Sequence, residues 1–143
     1  MKDNQIPVLL CGDMNSPPPS QVFAFMRGEK IVPYKAVAEE NVHFYDKVTE
    51  EANKVPLALV GKFMSSYCLY PNVRKDGSVH RGFPPFTVYS IVQKVIDHIF
   101  FTKKHFEVVS LLEMPKQEDV ADMLPNKLFP SDHLRIEAVL RFK

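Results

Sequence analysis

At 143 residues with 45% apolar and 24% charged residues, the chain has ordinary globular composition and suits one domain with a moderate core. A net charge of +1 excludes a global field that would pull it onto nucleic acid or a membrane, so any nucleic-acid contact has to come from a local site. No run approaches the roughly 20 apolar residues needed to span a bilayer, "MKDNQ" lacks a signal core, and Cys11 and Cys68 show neither a CxxC nor a zinc spacing. The cysteines read as free buried thiols of a reducing compartment. Cytoplasm is the default location, with nucleus or organelle left open.

In chain order, Ile6 to Cys11 is a continuous apolar run bounded by Gly12, which predicts a strand buried on both faces. After the prolines of "CGDMNSPPPS", the spacing of Val22, Phe23 and Met26 predicts a helix capped by Ser20 and stopped at Gly28. Val42, Tyr45 and Val48 fall in step within residues 39–54, as in a short exposed amphipathic helix. "MSSYCLY" reads as a short strand, and "PNVRKDGSVHRGFPP" as a loop.

"FTVYSIV" and "VIDHIFFT" read as two antiparallel strands joined by a tight turn at Gln93-Lys94. "FEVVSLLEM" is a further strand, "KQEDVADM" a short helix or helical turn, and "LPNKLFPSDH" a Pro-bounded loop. "LRIEAVLRF" closes the chain as an alternating strand. Leu134, Ile136, Ala138 and Leu140 face one way, and Arg135, Glu137 and Arg141 the other. The sum is an α/β fold with a mixed, largely antiparallel sheet rather than a doubly wound one.

Three polar clusters interrupt this apolar pattern: Asp13-Met14-Asn15, Asp97-His98, and Ser131-Asp132-His133. A carboxylate at Asp97, among Val, Ile and Phe, needs a partner or it loses its charge. His98 reads as a satisfied structural histidine. Asp13-x-Asn15 and Ser-Asp-His are each also common turn formers. Together the three clusters fit phosphodiester hydrolysis, which needs an anchor for the attacking water, donors for the phosphoryl oxygens and a divalent cation. Asp13 can orient the water and Asn15 can donate to phosphate. His133 can donate if Asp97 holds its other ring nitrogen. Asp132 offers a hard oxygen to Mg²⁺.

At these residues the sequence resembles the endonuclease/exonuclease/phosphatase superfamily. "VLLCGDMNSPPPS" is similar to its Gly-Asp-x-Asn strand end, "VIDHIFF" to its later Asp-bearing strand, and "FPSDHL" to its closing Ser-Asp-His segment. "CGDMNS", "PPFT", "LPN" and "FPSDHL" look most like the deadenylase branch, which includes the carbon-catabolite-repressor-type enzymes, nocturnin, the Angel proteins and the 2′,5′-oligoadenylate phosphodiesterase. The resemblance implies that residues 1–143 are one domain, the C-terminal portion of a four-layer α/β sandwich. It implies Asp13, Asn15, Asp97 and His133 as catalytic residues, Asp132 as a metal ligand, Mg²⁺ or Mn²⁺ as cofactor, and an adenylate-rich RNA 3′ end as substrate.

Two departures accompany the resemblance. The family's main metal-binding Glu precedes the Asp13 strand, and no such strand is written here, so a missing N-terminal half or a partner segment is expected to complete the metal site and cover an apolar sheet face. The aromatic on which the deadenylases stack adenine is replaced by Val92, Gln93 and Lys94, which weakens the expected adenine preference and leaves Lys94 as a possible phosphate contact. Arg74, Lys75, His80 and Arg81 form a basic loop that reads best as a solvated surface. Two other readings stay open: a non-catalytic binding module and a phosphatase acting on a small phosphoester.

Overall fold

The computed structural model describes residues 6–18, 20–29, 62–120 and 123–143, and the helix expected over residues 39–54 lies outside them. The architecture is α/β, with short antiparallel strand pairs and few helices. Strand β1 (Leu9–Asp13) is followed by helix α1 (Gln21–Met26). The Ser20 hydroxyl accepts the Phe23 N–H at 3.5 Å, and Gly28 follows with φ 74°, so the helix starts and stops where its cap and glycine are written.

Next come β2 (Phe63–Ser65), a 3₁₀ turn (Ser66–Leu69) and β3 (Tyr70–Val73). The single strand expected over "MSSYCLY" is therefore broken in its middle. Burial of Ser66 and Tyr67 inside that turn explains the break. The Tyr67 hydroxyl donates to the Leu112 carbonyl at 3.0 Å and accepts the Glu137 N–H at 3.0 Å, tying two distant segments together. The loop expected beyond it is instead a hairpin of β3 with β4 (Val79–Gly82). Its turn is closed by the Asp76 carboxylate accepting the Ser78 N–H and by Gly77 at φ 81°. Arg74, Lys75, His80 and Arg81 are exposed on it, as a solvated surface requires.

The hairpin expected between "FTVYSIV" and "VIDHIFFT" also takes another form. β5 (Val88–Tyr89) pairs with β6 (Gln93–Lys94), so the turn lies at Ser90 to Val92 and Gln93-Lys94 is strand. β7 (Asp97–Thr102) turns away from both and runs antiparallel to β1 on one edge and to β2 on the other. It takes the central place because its mostly buried Ile, Phe and Thr side chains need neighbours on both edges. β8 (Phe106–Leu111) pairs with β9 (Ala138–Phe142) around a bulge between Val108 and Ser110. Between them lies the one-turn helix α2 (Gln117–Val120). The closing alternation holds in burial. Leu134, Ile136, Ala138 and Leu140 are the more buried set, and Arg135, Glu137 and Arg141 are exposed, although the ladder itself begins only at Ala138.

Among the described residues, two apolar clusters hold these pieces. Tyr67, Tyr70, Phe86, Met114, Val120, Leu124 and Leu134 form the larger, and Phe23, Met26 and Phe100 the smaller. β1 departs from expectation. Leu9 is 50% and Leu10 42% exposed, because among the described residues β1 is paired only with β7 and no layer covers its leucines. Cys11 is exposed and Cys68 half-buried; both are free, but neither is the buried thiol expected.

Tyr67→Phe tests the tie between the 3₁₀ turn and the segments before α2 and β9. Removing the hydroxyl takes this partner from the Glu137 N–H and the Leu112 carbonyl, so denaturant unfolding should show a loss of about 1 kcal/mol. A change within the error of the extrapolation would remove this tie from the account.

Candidate active site

The site is assembled by β7 and the two segments that meet its first residue. In the β1–β7 register Asp13 stands directly opposite Asp97, which brings two carboxylates to one end of the sheet. Beyond Asp13 the chain turns sharply. The Met14 N–H donates to the Ile96 carbonyl at 2.9 Å, and the Asn15 N–H donates to Asp13 Oδ1 at 2.7 Å. Asn15 has φ 48°, a left-handed conformation that asparagine tolerates better than most residues. The prolines that follow keep the chain from continuing as helix.

The Ser-Asp-His segment reaches the same point by hanging on β5. The Leu134 N–H donates to the Thr87 carbonyl at 2.7 Å, and the Tyr89 N–H donates to the Asp132 carbonyl at 3.0 Å. His133 thereby bridges to Val88, and the Ser131 hydroxyl accepts its N–H at 3.0 Å. The ring points at β7, with Nδ1 3.0 Å from both Asp97 oxygens.

A carboxylate can only accept, so His133 Nδ1 carries the proton and Nε2 faces outward. Burial pulls the His133 pKa down and is the largest single influence. The hydrogen bond and charge of Asp97, with smaller help from Asp132 and Asp13, outweigh it, and the net direction is upward from the ordinary imidazole value.

Asp97 is held from its other side by Thr87, a residue that sequence reading passed over. The Thr87 hydroxyl donates to Asp97 Oδ2 at 2.6 Å while accepting the N–H groups of Ile96 and Asp97 at 3.1 and 3.2 Å. Thr87 is fully buried, so these bonds meet no competition from water. The only signal in the sequence was "PPFT", a polar β-branched residue opening an apolar strand, which by itself reads as ordinary strand composition.

Asp13, Asp97 and His133 place ligand-capable atoms within 4.8 Å of one another. Asp132 stands outside that group; its charge acts on His133 from the neighbouring position. Asn15 and Asp13 are solvent-exposed, so the cluster opens outward. The donor set of two carboxylates and an imidazole suits a hard divalent cation in kind, while in number it leaves several positions to further oxygen ligands. His98, next to Asp97, is fully buried with both ring nitrogens engaged, as the structural reading of it anticipated.

Residues 1–133 match the model of the endonuclease/exonuclease/phosphatase family. The chain belongs to that family. It is 32% identical over 143 residues to the 3′-5′-exoribonuclease subunit Ccr4 of the CCR4-Not complex from Mycosarcoma maydis, covering 98% of this chain and 19% of the relative. It is 28% identical to mouse 2′,5′-phosphodiesterase 12 over 141 residues, 96% of this chain and 20% of that protein. Its fold superposes on that of ANGEL2, a 2′,3′-cyclic phosphatase solved with adenosine-2′,3′-vanadate, with a TM-score of 0.64 at 22% identity, over 99% of this chain and 47% of that one. The chain thus spans about a fifth of these curated relatives and about half of that solved domain.

The Asp97–His133 contact has a measurable signature. The folded-state pKa of His133 lies above its unfolded value, so its contribution to stability is present below the ordinary imidazole value and is lost as pH rises through the raised one. In Asp97→Asn the opposing influence of burial should dominate. An NMR titration of the His133 ring should then show its pKa falling below that of the wild type, and this component of the stability profile should vanish. An unchanged His133 titration in Asp97→Asn would rule out the pairing as the cause.

Proposed function

We propose that this chain carries the His-bearing part of a divalent-metal-dependent phosphodiesterase that removes nucleotides from RNA 3′ ends, adenylates among them, releasing 5′-monophosphates. The observation that carries the reading is the convergence of Asp13, Asp97 and His133 at one open sheet end, with Asn15 on the adjoining turn. The Ccr4 and 2′,5′-phosphodiesterase relatives support the phosphodiester class.

Each side chain has a role its surroundings support. Asp13, exposed and unburdened by an ion pair among the described residues, orients the attacking water for in-line displacement at phosphorus. Asn15, presented by its left-handed turn, donates its amide to a non-bridging oxygen. His133 has its Nδ1 proton committed to Asp97, so its Nε2 donates to the phosphoryl oxygen when the ring is protonated, the state that Asp97 favours. Asp97 stays fixed by Thr87 and sets the ring orientation. Asp132 stands outside the Asp13, Asp97 and His133 group, and its role as a carboxylate toward Mg²⁺ or Mn²⁺ rests on the family resemblance. When bound, such an ion neutralises charge on the phosphate.

Base preference follows from the β5–β6 turn. Its tip carries Ile91 at 93% and Val92 at 46% exposure, with no aromatic ring to stack on an adenine. Tyr89 packs against Phe86 with ring centroids 5.1 Å apart, so its ring is already engaged in the core. A weakened adenine preference is therefore part of the proposal. Exposed Lys94 at the same edge favours the backbone phosphate over the base.

The test uses 5′-labelled RNA ending in oligo(A), with Mg²⁺, beside His133→Ala. The wild type should shorten the tail, and the mutant should be slower by about 10²-fold or more while remaining folded. Equal rates for the two proteins would end the proposal. A second reading draws on the exposed leucines of β1, which suit a binding module that presents this face to a partner. Thermal unfolding with and without Mg²⁺ separates the two readings. A clear Mg²⁺-dependent rise in Tm that is lost in Asp132→Asn favours the enzyme, and no rise favours the module.

A further inference from the structure

β7 alternates, so the residue after Asp97 points to the opposite face of the sheet. That residue is His98, fully buried on the side of α1. Its ring meets Phe23 edge-on at 4.7 Å and lies 5.3 Å from Phe100 and 6.0 Å from Phe83. A polar ring in this aromatic setting calls for an explanation.

Its hydrogen bonds supply one. Nε2 lies 3.3 Å from the Ser16 carbonyl, and Nδ1 lies 3.3 Å from the Ser65 hydroxyl. A carbonyl only accepts, so Nε2 carries a proton. With the proton on Nε2, Nδ1 of the neutral ring is the acceptor that meets the Ser65 O–H. The tautomer is therefore set by its two partners.

Ser16 directly follows Asn15. The Asn15 turn is thus clamped on both sides, by the Met14 N–H on the Ile96 carbonyl before it and by the Ser16 carbonyl on His98 after it. Between the two clamps Asn15 sits at φ 48°, a conformation that persists in a non-glycine residue only when its surroundings over-determine it.

We infer that His98 is a positioning residue: through its Nε2–H bond to the Ser16 carbonyl it locks the turn that presents Asn15 at the site, working from the reverse face of the sheet. The geometric claim stands alone, and its consequence for catalysis rests on the phosphodiesterase reading. The contact runs only to a main-chain carbonyl, so any side chain that places a donor where Nε2 lies should serve. Glutamine can place its amide nitrogen near Nε2, whereas asparagine reaches only as far as Nδ1.

The experiment compares wild type, His98→Gln, His98→Asn and Ser65→Ala. Ring ¹⁵N shifts of the wild type should show the proton on His98 Nε2; a proton on Nδ1 overturns the inference whatever the variants do. Hydrogen exchange at the Asn15 amide should be about tenfold faster in His98→Asn, the cost of one lost clamp, and close to wild type in His98→Gln and Ser65→Ala. Equal exchange in His98→Gln and His98→Asn overturns it, since a mere core role would not distinguish them. In the RNA assay, His98→Asn should lower kcat with KM unchanged, and His98→Gln should restore it. A wild type inert on RNA would count against the phosphodiesterase reading alone, and the exchange and ring measurements would still decide on His98.

Discussion

The structure turns on a single partly buried group: the Asp97 carboxylate at the head of an otherwise apolar strand. A carboxylate in such surroundings stays charged only if hydrogen bonds and an opposite charge hold it. Thr87 supplies a hydroxyl at 2.6 Å and His133 an imidazole at 3.0 Å. Those two partners come from the residue before β5 and from the segment before β9, 10 and 36 residues away in the chain. Satisfying one carboxylate therefore forces three separate stretches into one place. Main-chain bonds repeat the demand, because Thr87 also receives the Leu134 N–H and donates its own N–H to Lys94.

The same strand works on both of its faces. Asp97 looks toward His133, and His98 looks back toward Phe23 and Phe100. The β1–β7 register adds Asp13 opposite Asp97 and delivers the chain directly into the Asn15 turn. One antiparallel pair thus places a carboxylate couple, a left-handed turn and the anchor behind that turn. A one-residue slip would exchange the two faces and dismantle all of it.

The open end of the sheet and the uncovered leucines of β1 belong to one geometry. Asp13 and Asn15 are accessible at that end, and Leu9 and Leu10 are exposed along the strand that leads to it. Family membership gives this arrangement a context, since the ANGEL2 fold extends well beyond the part that matches here. Asp97 and His133 are engaged with each other, so the cluster leaves most ligand positions of a divalent cation to further oxygen donors.

What the sequence determined by itself was local chemistry and period. The Ser20 cap, the Gly28 stop, the alternation from Leu134 to Leu140, and the demand of Asp97 for a partner all follow from residue type and spacing. The Gly-Asp-x-Asn, Asp-bearing and Ser-Asp-His segments were legible for the same reason, because each is a polar interruption of an apolar strand. Only the tertiary structure decided which strands pair. The expected hairpin partner of β7 proved to be β1 and β2, and "MSSYCLY" broke around buried Tyr67 because its hydroxyl is needed by Leu112 and Glu137. The role of Thr87 was not legible in "PPFT", since a threonine opening a strand shows its use only when its hydroxyl meets a carboxylate. The exposure of β1 was hidden for a related reason: an apolar run records that a strand wants cover, whereas the cover itself depends on what packs against it.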